Sequence, residues 1–235
     1  MRLRFSSIVP FAAALVLAGC GGAPEGETGE PSAQVSPDEV PVMGPERHIV
    51  AFGDSLFAGY GLGPGESYPE RLQAALRARG INAQIANAGV SGDTTAAGRQ
   101  RIAFTLDAQE KKPDLVIVEL GGNDLLRSID PAQTRENLAA ILDEITDRDI
   151  PVLLMGMRAP PNLGPDYQQR FDALYGDIAR QYGAELVPFF LEAIYQRPEL
   201  FQDDRIHPTA VGIEEIVGAT VSQVAEALPD AANDN

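Results

Sequence analysis

Apolar residues follow two alternating patterns along this chain. Short runs rich in β-branched residues predict buried strands, and stretches with apolar residues every three or four positions predict amphipathic helices. The predicted strands cover residues 48–52, 81–87, 114–120, 150–157 and 184–190. A helical stretch follows each strand, directly or after a loop, and the last one runs from about Thr209 to Leu228. The segment 114–120 is the most continuously apolar, which is typical of a central strand buried on both faces.

This alternation predicts an α/β fold, a three-layer α/β/α sandwich with a five-stranded parallel sheet. Ligands of such sheets bind at the carboxyl ends of the strands. Ser55, Gly89 and Asn123 each come just after one of the first three predicted strands. We therefore expect three loops to converge on one rim of the sheet.

The N-terminal end of the chain lacks this alternation. Residues 1–19 combine a basic start with an apolar run too short to span a bilayer, which is the layout of an export signal. The segment Leu17-Ala18-Gly19-Cys20 is similar to the bacterial lipobox, and that resemblance implies that Cys20 is lipidated and becomes the mature N-terminus. An ordinary signal peptide that happens to contain a cysteine is the alternative.

Composition separates the remaining segments. Residues 20–46 are rich in Gly, Pro, Glu and Ser and hold few large apolar side chains, which predicts a disordered tether. We expect one folded domain over residues 47–229 and a disordered tail over residues 230–235.

Charge and residue counts exclude several classes of function. Acidic residues number 34 and basic residues 18, for a net charge of −16 with no basic run, so nucleic acid is not an expected partner and strongly anionic substrates are disfavoured. One cysteine and two histidines provide neither an internal disulfide nor the clusters typical of zinc sites, and we expect no metal and no cofactor. The glycine-rich segment 59–65 lacks dinucleotide-site spacing and is interpreted as a mobile loop.

A serine follows the first predicted strand, in Gly53-Asp54-Ser55. Such a tripeptide is also ordinary loop chemistry, since Asp or Ser caps many helices. A nucleophilic serine needs a base and a group that orients the base. His48 begins the first strand, roughly 15 Å from the serine, whereas His207 precedes the last helix at the level of the rim. Asp204, three residues before His207, is the predicted orienter, and Asp203 is the fallback.

Acyl transfer also needs hydrogen-bond donors for the developing oxyanion. The candidates are the backbone N–H groups of Ser55 and Gly89 and the side-chain amide of Asn123, although Asn123 is also readable as a turn residue or cap. The loop after the fourth strand offers an apolar surface for the acyl chain, unless its side chains simply pack on the helix below. Its predicted substrate-binding residues are Met157, Pro160 and Leu163.

Four segments resemble, in order, the sequence blocks of the SGNH (GDSL) hydrolases, and the segment 113–124 most resembles the bacterial arylesterase and multifunctional thioesterase/lysophospholipase group. The segments are Gly53-Asp54-Ser55-Leu56, Ala88-Gly89-Val90-Ser91-Gly92, Gly121-Gly122-Asn123-Asp124 and Asp204-Arg205-Ile206-His207-Pro208. The resemblance implies a flavodoxin-like fold, with Ser55 as nucleophile, His207 as base and Asp204 as orienter. It also implies that Ser55, Gly89 and Asn123 supply the oxyanion donors. One departure is Arg205, where relatives often carry glycine and where a cation would compete for Asp204.

The resemblance therefore implies a serine esterase for short to medium acyl chains, with thioesters and lysophospholipids as further candidate substrates. A carbohydrate or peptidoglycan O-acetylesterase of the cell envelope is the alternative, and a non-catalytic lipoprotein is the third hypothesis. Gly21, in place of an aspartate after Cys20, resembles lipoproteins of the outer membrane. We therefore expect an exported, periplasmic protein with a lipid anchor. The oligomeric state stays open.

Overall fold

Five parallel strands form the central sheet of the protein, whose computed structural model describes residues 42–230. The strands are β1 (Arg47–Gly53), β2 (Ala83–Gly89), β3 (Leu115–Glu119), β4 (Val152–Met155) and β5 (Glu185–Val187). They lie in the order β2-β1-β3-β4-β5, and every neighbouring pair is parallel. This is the flavodoxin-like order, which has its switch point between β1 and β3. The predicted fold is confirmed.

Helices connect the strands, and the longer ones follow the helical stretches that the sequence predicts, whereas the short ones at Ser55–Ala58 and Gly122–Leu126 were not predicted. The α-helices of the described residues are α1 (Ser55–Ala58), α2 (Tyr68–Ala78), α3 (Thr95–Asp107), α4 (Gly122–Leu126), α5 (Pro131–Thr146), α6 (Pro165–Tyr182) and α7 (Ala210–Ala227). Ser67 and Glu70 form a capping box before α2, and Thr209 caps α7 with its side chain. None of these helices is long and apolar enough to cross a bilayer.

The helices form two groups. α2 packs against α7, whereas α3, α5 and α6 pack in a row, so the two groups cover opposite faces of the sheet. Between them, β1 and β3 are buried on both faces. On the α2 and α7 side, the ring of Phe57 in α1 stacks on Tyr68 at 5.2 Å between ring centroids, and Phe190 packs edge-on against both. This aromatic cluster anchors the short helix that begins at Ser55.

The strand ends differ from the sequence prediction by one to three residues, most at the edge strand β5. β5 ends at Val187, three residues before the predicted end, because Pro188 has no N–H to continue the ladder. β4 ends at Met155, and Gly156 continues the contact only irregularly, through its N–H to the Val187 carbonyl (2.8 Å).

Several sequence predictions lie outside the described residues. These are the export signal over residues 1–19, lipidation at Cys20, most of the tether over residues 20–46, and the tail after residue 230. The described part of the tether, residues 42–46, contains no helix or strand.

Candidate active site

The loops after β1, β2 and β3 meet at the carboxyl edge of the sheet, as the sequence predicts. Gly53, the last residue of β1, is paired with Gly89 on one side and with Glu119 on the other. Two residues later Ser55 opens α1, and Asn123 lies in the first turn of α4. These loops border a cavity of about 770 Å³.

A chain of hydrogen bonds joins the predicted serine, histidine and aspartate. Nε2 of His207 lies 2.8 Å from Oγ of Ser55, and Nδ1 of His207 lies 2.6 Å from Oδ2 of Asp204. The second oxygen of Asp204 accepts the backbone N–H groups of Ile206 (2.9 Å) and His207 (3.0 Å), so the carboxylate closes one tight turn. It is Asp204 and not Asp203 that faces the imidazole.

The surroundings of Asp204 keep it ionised. Desolvation favours its neutral form, but the hydrogen bonds from the His207 N–H, the His207 imidazole and the Ile206 N–H outweigh that effect and lower the pKa of Asp204 to about 2. Arg205 makes none of these contacts, although it lines the cavity. The expected competition of Arg205 for the Asp204 carboxylate is therefore absent from this turn.

The glycine-rich segment after α1 lies directly against His207. The ring of Tyr60 lies 4.4 Å from the imidazole, measured between ring centroids. Nε2 of Gln202 donates both to the Tyr60 carbonyl (2.8 Å) and to the Pro208 carbonyl (2.9 Å), and so ties this segment to the histidine loop. The sequence predicts a mobile loop here and does not indicate this contact.

Asn123 is held by Asp54. Nδ2 of Asn123 donates to Oδ2 of the buried Asp54 (3.0 Å), which leaves its second hydrogen for the cavity that it lines. The other Asp54 oxygen accepts the Leu56 N–H (3.0 Å) and caps α1. Burial raises the pKa of Asp54, although these two hydrogen bonds favour its charged form. Asp54 is thus both a helix cap and a support for the predicted oxyanion donor.

The structure corrects the prediction for Gly89. Its N–H donates to Oδ1 of Asn87 (2.9 Å), and a Cβ at this position would overlap the backbone of Ala58, so the glycine is explained by close packing. The glycine that this loop presents to the cavity is Gly92, beside Ser91. Within residues 42–230 the Gly92 N–H has no hydrogen-bond partner, so it is free to donate to a ligand.

A sequence signal for Gly92 existed. Gly89 is still paired within β2, whereas Gly92 lies at the apex of the turn before Thr94, the cap of α3. Because a loop apex reaches further over the rim than the last paired residue of a strand, position 92 was the better candidate.

The cavity has two apolar walls. The predicted substrate-binding residues Met157, Pro160 and Leu163 lie on one of them. Sequence reasoning missed the second wall, which the segment between β5 and α7 supplies. Its residues are Phe189, Leu191, Tyr195, Pro198, Phe201 and Ile206. The apolar run that continues past the end of β5 was the available signal. Elsewhere in the part of the chain that the structure describes, no group of three or more His, Cys, Asp or Glu is placed to hold a metal ion.

Comparison with known proteins points to one family. Residues 51–214 match the family model of the GDSL-like lipase/acylhydrolase family. Esterase TesA of Pseudomonas aeruginosa is 41% identical over 160 residues, which cover 68% of this chain and 79% of that protein. Thioesterase 1/protease 1/lysophospholipase L1 of Escherichia coli is 38% identical over 160 residues, covering 68% and 74%. The crystal structure of AlinE4, an SGNH-hydrolase family esterase, is 65% identical with a TM-score of 0.68, covering 80% of this chain and 99% of that one.

Proposed function

The chain belongs to the GDSL-like lipase/acylhydrolase family and is a serine ester hydrolase, and we propose that Ser55, His207 and Asp204 form its catalytic triad. The observation that carries this proposal is the continuous hydrogen-bond chain, 2.8 Å from Ser55 to His207 and 2.6 Å from His207 to Asp204. In acyl transfer the base takes the serine proton, and a fixed carboxylate holds the imidazole in the required tautomer.

The reaction proceeds in two halves. Oγ of Ser55 attacks the ester carbonyl while its proton passes to Nε2 of His207. The tetrahedral intermediate then collapses, and the alcohol leaves with that proton. In the second half His207 takes a proton from water, the hydroxyl attacks the acyl-enzyme, and the acid leaves as Oγ regains its proton. The sum is ester plus water to acid plus alcohol.

We propose three hydrogen-bond donors for the developing oxyanion. We assign them to the Ser55 N–H, the Gly92 N–H and the second hydrogen of Asn123 Nδ2. Ser55, Gly92 and Asn123 line the same cavity, and in the described part of the chain neither backbone N–H has another hydrogen-bond partner. Donors that are in place before the reaction stabilise the transition state without reorganising.

The triad is tested by fluorophosphonate labelling and by hydrolysis of p-nitrophenyl esters. We expect the wild type to be labelled once, at Ser55, and Ser55→Ala to lose both the label and nearly all turnover. His207→Ala is expected to keep its fold and to lose turnover as well. Substantial ester hydrolysis by purified Ser55→Ala would refute the assignment of the nucleophile.

For the substrate class we propose carboxylic esters with short to medium acyl chains. Support comes from the apolar side chains on both walls, Met157 and Leu163 on one and Phe189 and Phe201 on the other, and from the cavity volume of about 770 Å³. A p-nitrophenyl ester series of increasing acyl length, run beside the matching acyl thioesters, is expected to give a maximum at short or medium chains. Activity confined to acetylated glycans would instead favour the O-acetylesterase alternative.

We also propose that the protein is exported to the periplasm and anchored by a lipid at Cys20. The support is the layout of residues 1–20, with its basic start, short apolar run and Leu17-Ala18-Gly19-Cys20 ending. A radiolabelled fatty-acid precursor is expected to label the wild type but not Cys20→Ser, and to follow the outer-membrane fraction. A wild type without label would leave an ordinary cleaved signal as the explanation.

A further inference from the structure

A fully buried carboxyl group lies next to Asp54, the residue that holds Asn123. Glu119 ends β3 opposite Gly53, and its side chain is enclosed on all sides. Its Oε2 faces the Asp54 N–H at 3.4 Å, and its side chain is within hydrogen-bonding reach of the Asp54 carboxyl group. Its Oε1 finds no hydrogen-bond donor in the described part of the chain. Glu119 takes no part in the two halves of the proposed reaction.

The surroundings decide which of the two acids carries the charge. Asp54 accepts two good hydrogen bonds, from the Leu56 N–H and from Asn123, whereas Glu119 accepts one long one. Burial, and then the neighbouring Asp54 charge, raise the pKa of Glu119 well above its usual range. A protonated Glu119 has one hydroxyl hydrogen to donate, and the Asp54 carboxyl group is within reach to accept it.

We propose that Glu119 is a positioning residue that donates a hydrogen bond to Asp54 and thereby fixes the Asn123 amide in its oxyanion-binding orientation. An Asn side chain presents NH₂ at one end and a carbonyl at the other. A charged Asp54 accepts only from the NH₂ end, so it keeps the carbonyl of Asn123 from facing the developing negative charge. The inference rests on the proposed role of Asn123.

Loss of the Glu119 proton would disrupt this arrangement. Two carboxylates in contact repel in a buried site, so Asp54 would turn away and release the amide. The charged and titratable groups nearby offer little compensation. The guanidinium of Arg101 in α3 donates to Asp93 (2.6 Å) and to the Gly53 carbonyl (2.9 Å). The hydroxyl of Tyr175 in α6 donates to the Leu120 carbonyl (2.9 Å). Asp124, also buried, accepts from Thr95 and Thr134.

The test compares Glu119→Ala, Glu119→Gln and the wild type by kcat per fluorophosphonate-titrated site, which removes any effect of a smaller folded fraction. Glu119→Ala removes the donor and is expected to lower kcat about tenfold or more, with KM within about twofold. Glu119→Gln keeps a donor in the same place and is expected to restore kcat to within about threefold.

The pH profile supplies a readout that a purely structural role would not move. Wild-type kcat is expected to fall at alkaline pH as Glu119 ionises, and Glu119→Gln, which has no proton to lose, is expected to lack that fall. Ionisation of the buried Tyr175 would also lower kcat at alkaline pH. Tyr175→Phe is the control for that cause, and this variant is expected to keep the alkaline fall of kcat.

An unchanged kcat per titrated site in Glu119→Ala, or an alkaline fall that persists in Glu119→Gln, would overturn the inference. If Glu119→Ala does not fold, the pH profile of kcat in Glu119→Gln is by itself the test of the proposed role of Glu119. A wild type that hydrolyses esters but takes no label at Ser55 would instead count against the proposed triad.

Discussion

Single residues at this site have two tasks each, one in the fold and one in the proposed chemistry. Asp54 caps α1 through the Leu56 N–H and holds Asn123. Asp204 closes the turn of the histidine loop and orients His207. Because the same carboxylates satisfy buried or strained backbone, a substitution at either position disturbs fold and activity together. Cleaner tests therefore come from neighbours with one task.

Asn123 is such a neighbour. Its only side-chain hydrogen bond among the described residues goes to Asp54, so Asn123→Ala is expected to fold normally. It removes one oxyanion donor and should lower kcat roughly 10²- to 10³-fold, with a small change in KM. Steady-state kinetics on a p-nitrophenyl ester measure the effect, and Asn123→Asp, which replaces the donor with an acceptor, is the matched variant. Wild-type kcat in Asn123→Ala would exclude the residue from the oxyanion site.

A substitution at Arg205 tests whether the backbone of the histidine loop is strained. Its φ of +58° lies in the left-handed region, where glycine is at ease and other residues are not. Arg205→Gly is expected to raise the free energy of unfolding by about 1 kcal/mol, because it removes that strain. kcat should stay within about twofold of wild type, since Arg205 takes no part in the Asp204 contacts.

Chemical denaturation measures this gain, and Asp149→Gly is the control. Asp149 has a similar φ of +53° after α5, away from the cavity. Similar stabilisation at both sites would assign the effect to the backbone. A large loss of kcat in Arg205→Gly alone would show that the Arg205 side chain acts on the substrate or on Asp204.

At the scale of the elements, the sequence predicts the repeated strands and helices and the contacts between residues that are close in the chain. The apolar runs locate all five strands, and a cap such as Ser67 or a stop such as Gly183 marks the helix ends. The spacing of Asp204 and His207 predicts their contact, because three residues suffice for one turn.

Other features depend on contacts between distant segments. α1 and α4 have four and five residues, too few to show a helical period, and they form because Asp54 and the strand ends hold them. Burial of Glu119 against Asp54 joins positions 65 residues apart. For Gly89 the sequence indicates that a small residue is needed but not why, and the reason is packing on Ala58.

The roles of Gly89 and Gly92, at the two ends of the turn between β2 and α3, can be separated by experiment. Gly92→Ala meets no close neighbour, but its φ of +88° strains an alanine and shifts the N–H that we assign to the oxyanion site. It is expected to lower kcat per titrated site about tenfold or more. Gly89→Ala forces a Cβ into the backbone of Ala58 and is expected to lower the melting temperature instead.

Thermal unfolding and kinetics on the same preparations separate these effects. If Gly89→Ala kept its stability and lost kcat, while Gly92→Ala kept full kcat, the assignment of the oxyanion donor would have to return to Gly89.

At the scale of the whole molecule, charge sets which substrates approach easily. The net charge of −16 creates a negative long-range field that repels anions. Arg158 and Arg205 line the cavity and attract anions, but only at short range. Arg158 is also paired with Glu192 (3.0 Å), which reduces its attraction. The long-range term is therefore expected to control the encounter of an anionic ester with the enzyme.

Ionic strength tests this balance. We compare a neutral ester, p-nitrophenyl acetate, with an anionic one, the acetate ester of 4-hydroxybenzenesulfonate. Raising the salt from about 0.01 M to about 1 M shortens the screening length from about 30 Å to about 3 Å. kcat/KM for the anionic ester is expected to rise about threefold or more, because repulsion is screened, while the neutral ester changes less than about twofold. A fall for the anionic ester would mean that the arginines at the cavity outweigh the net charge, and Arg205→Gly would then abolish that fall.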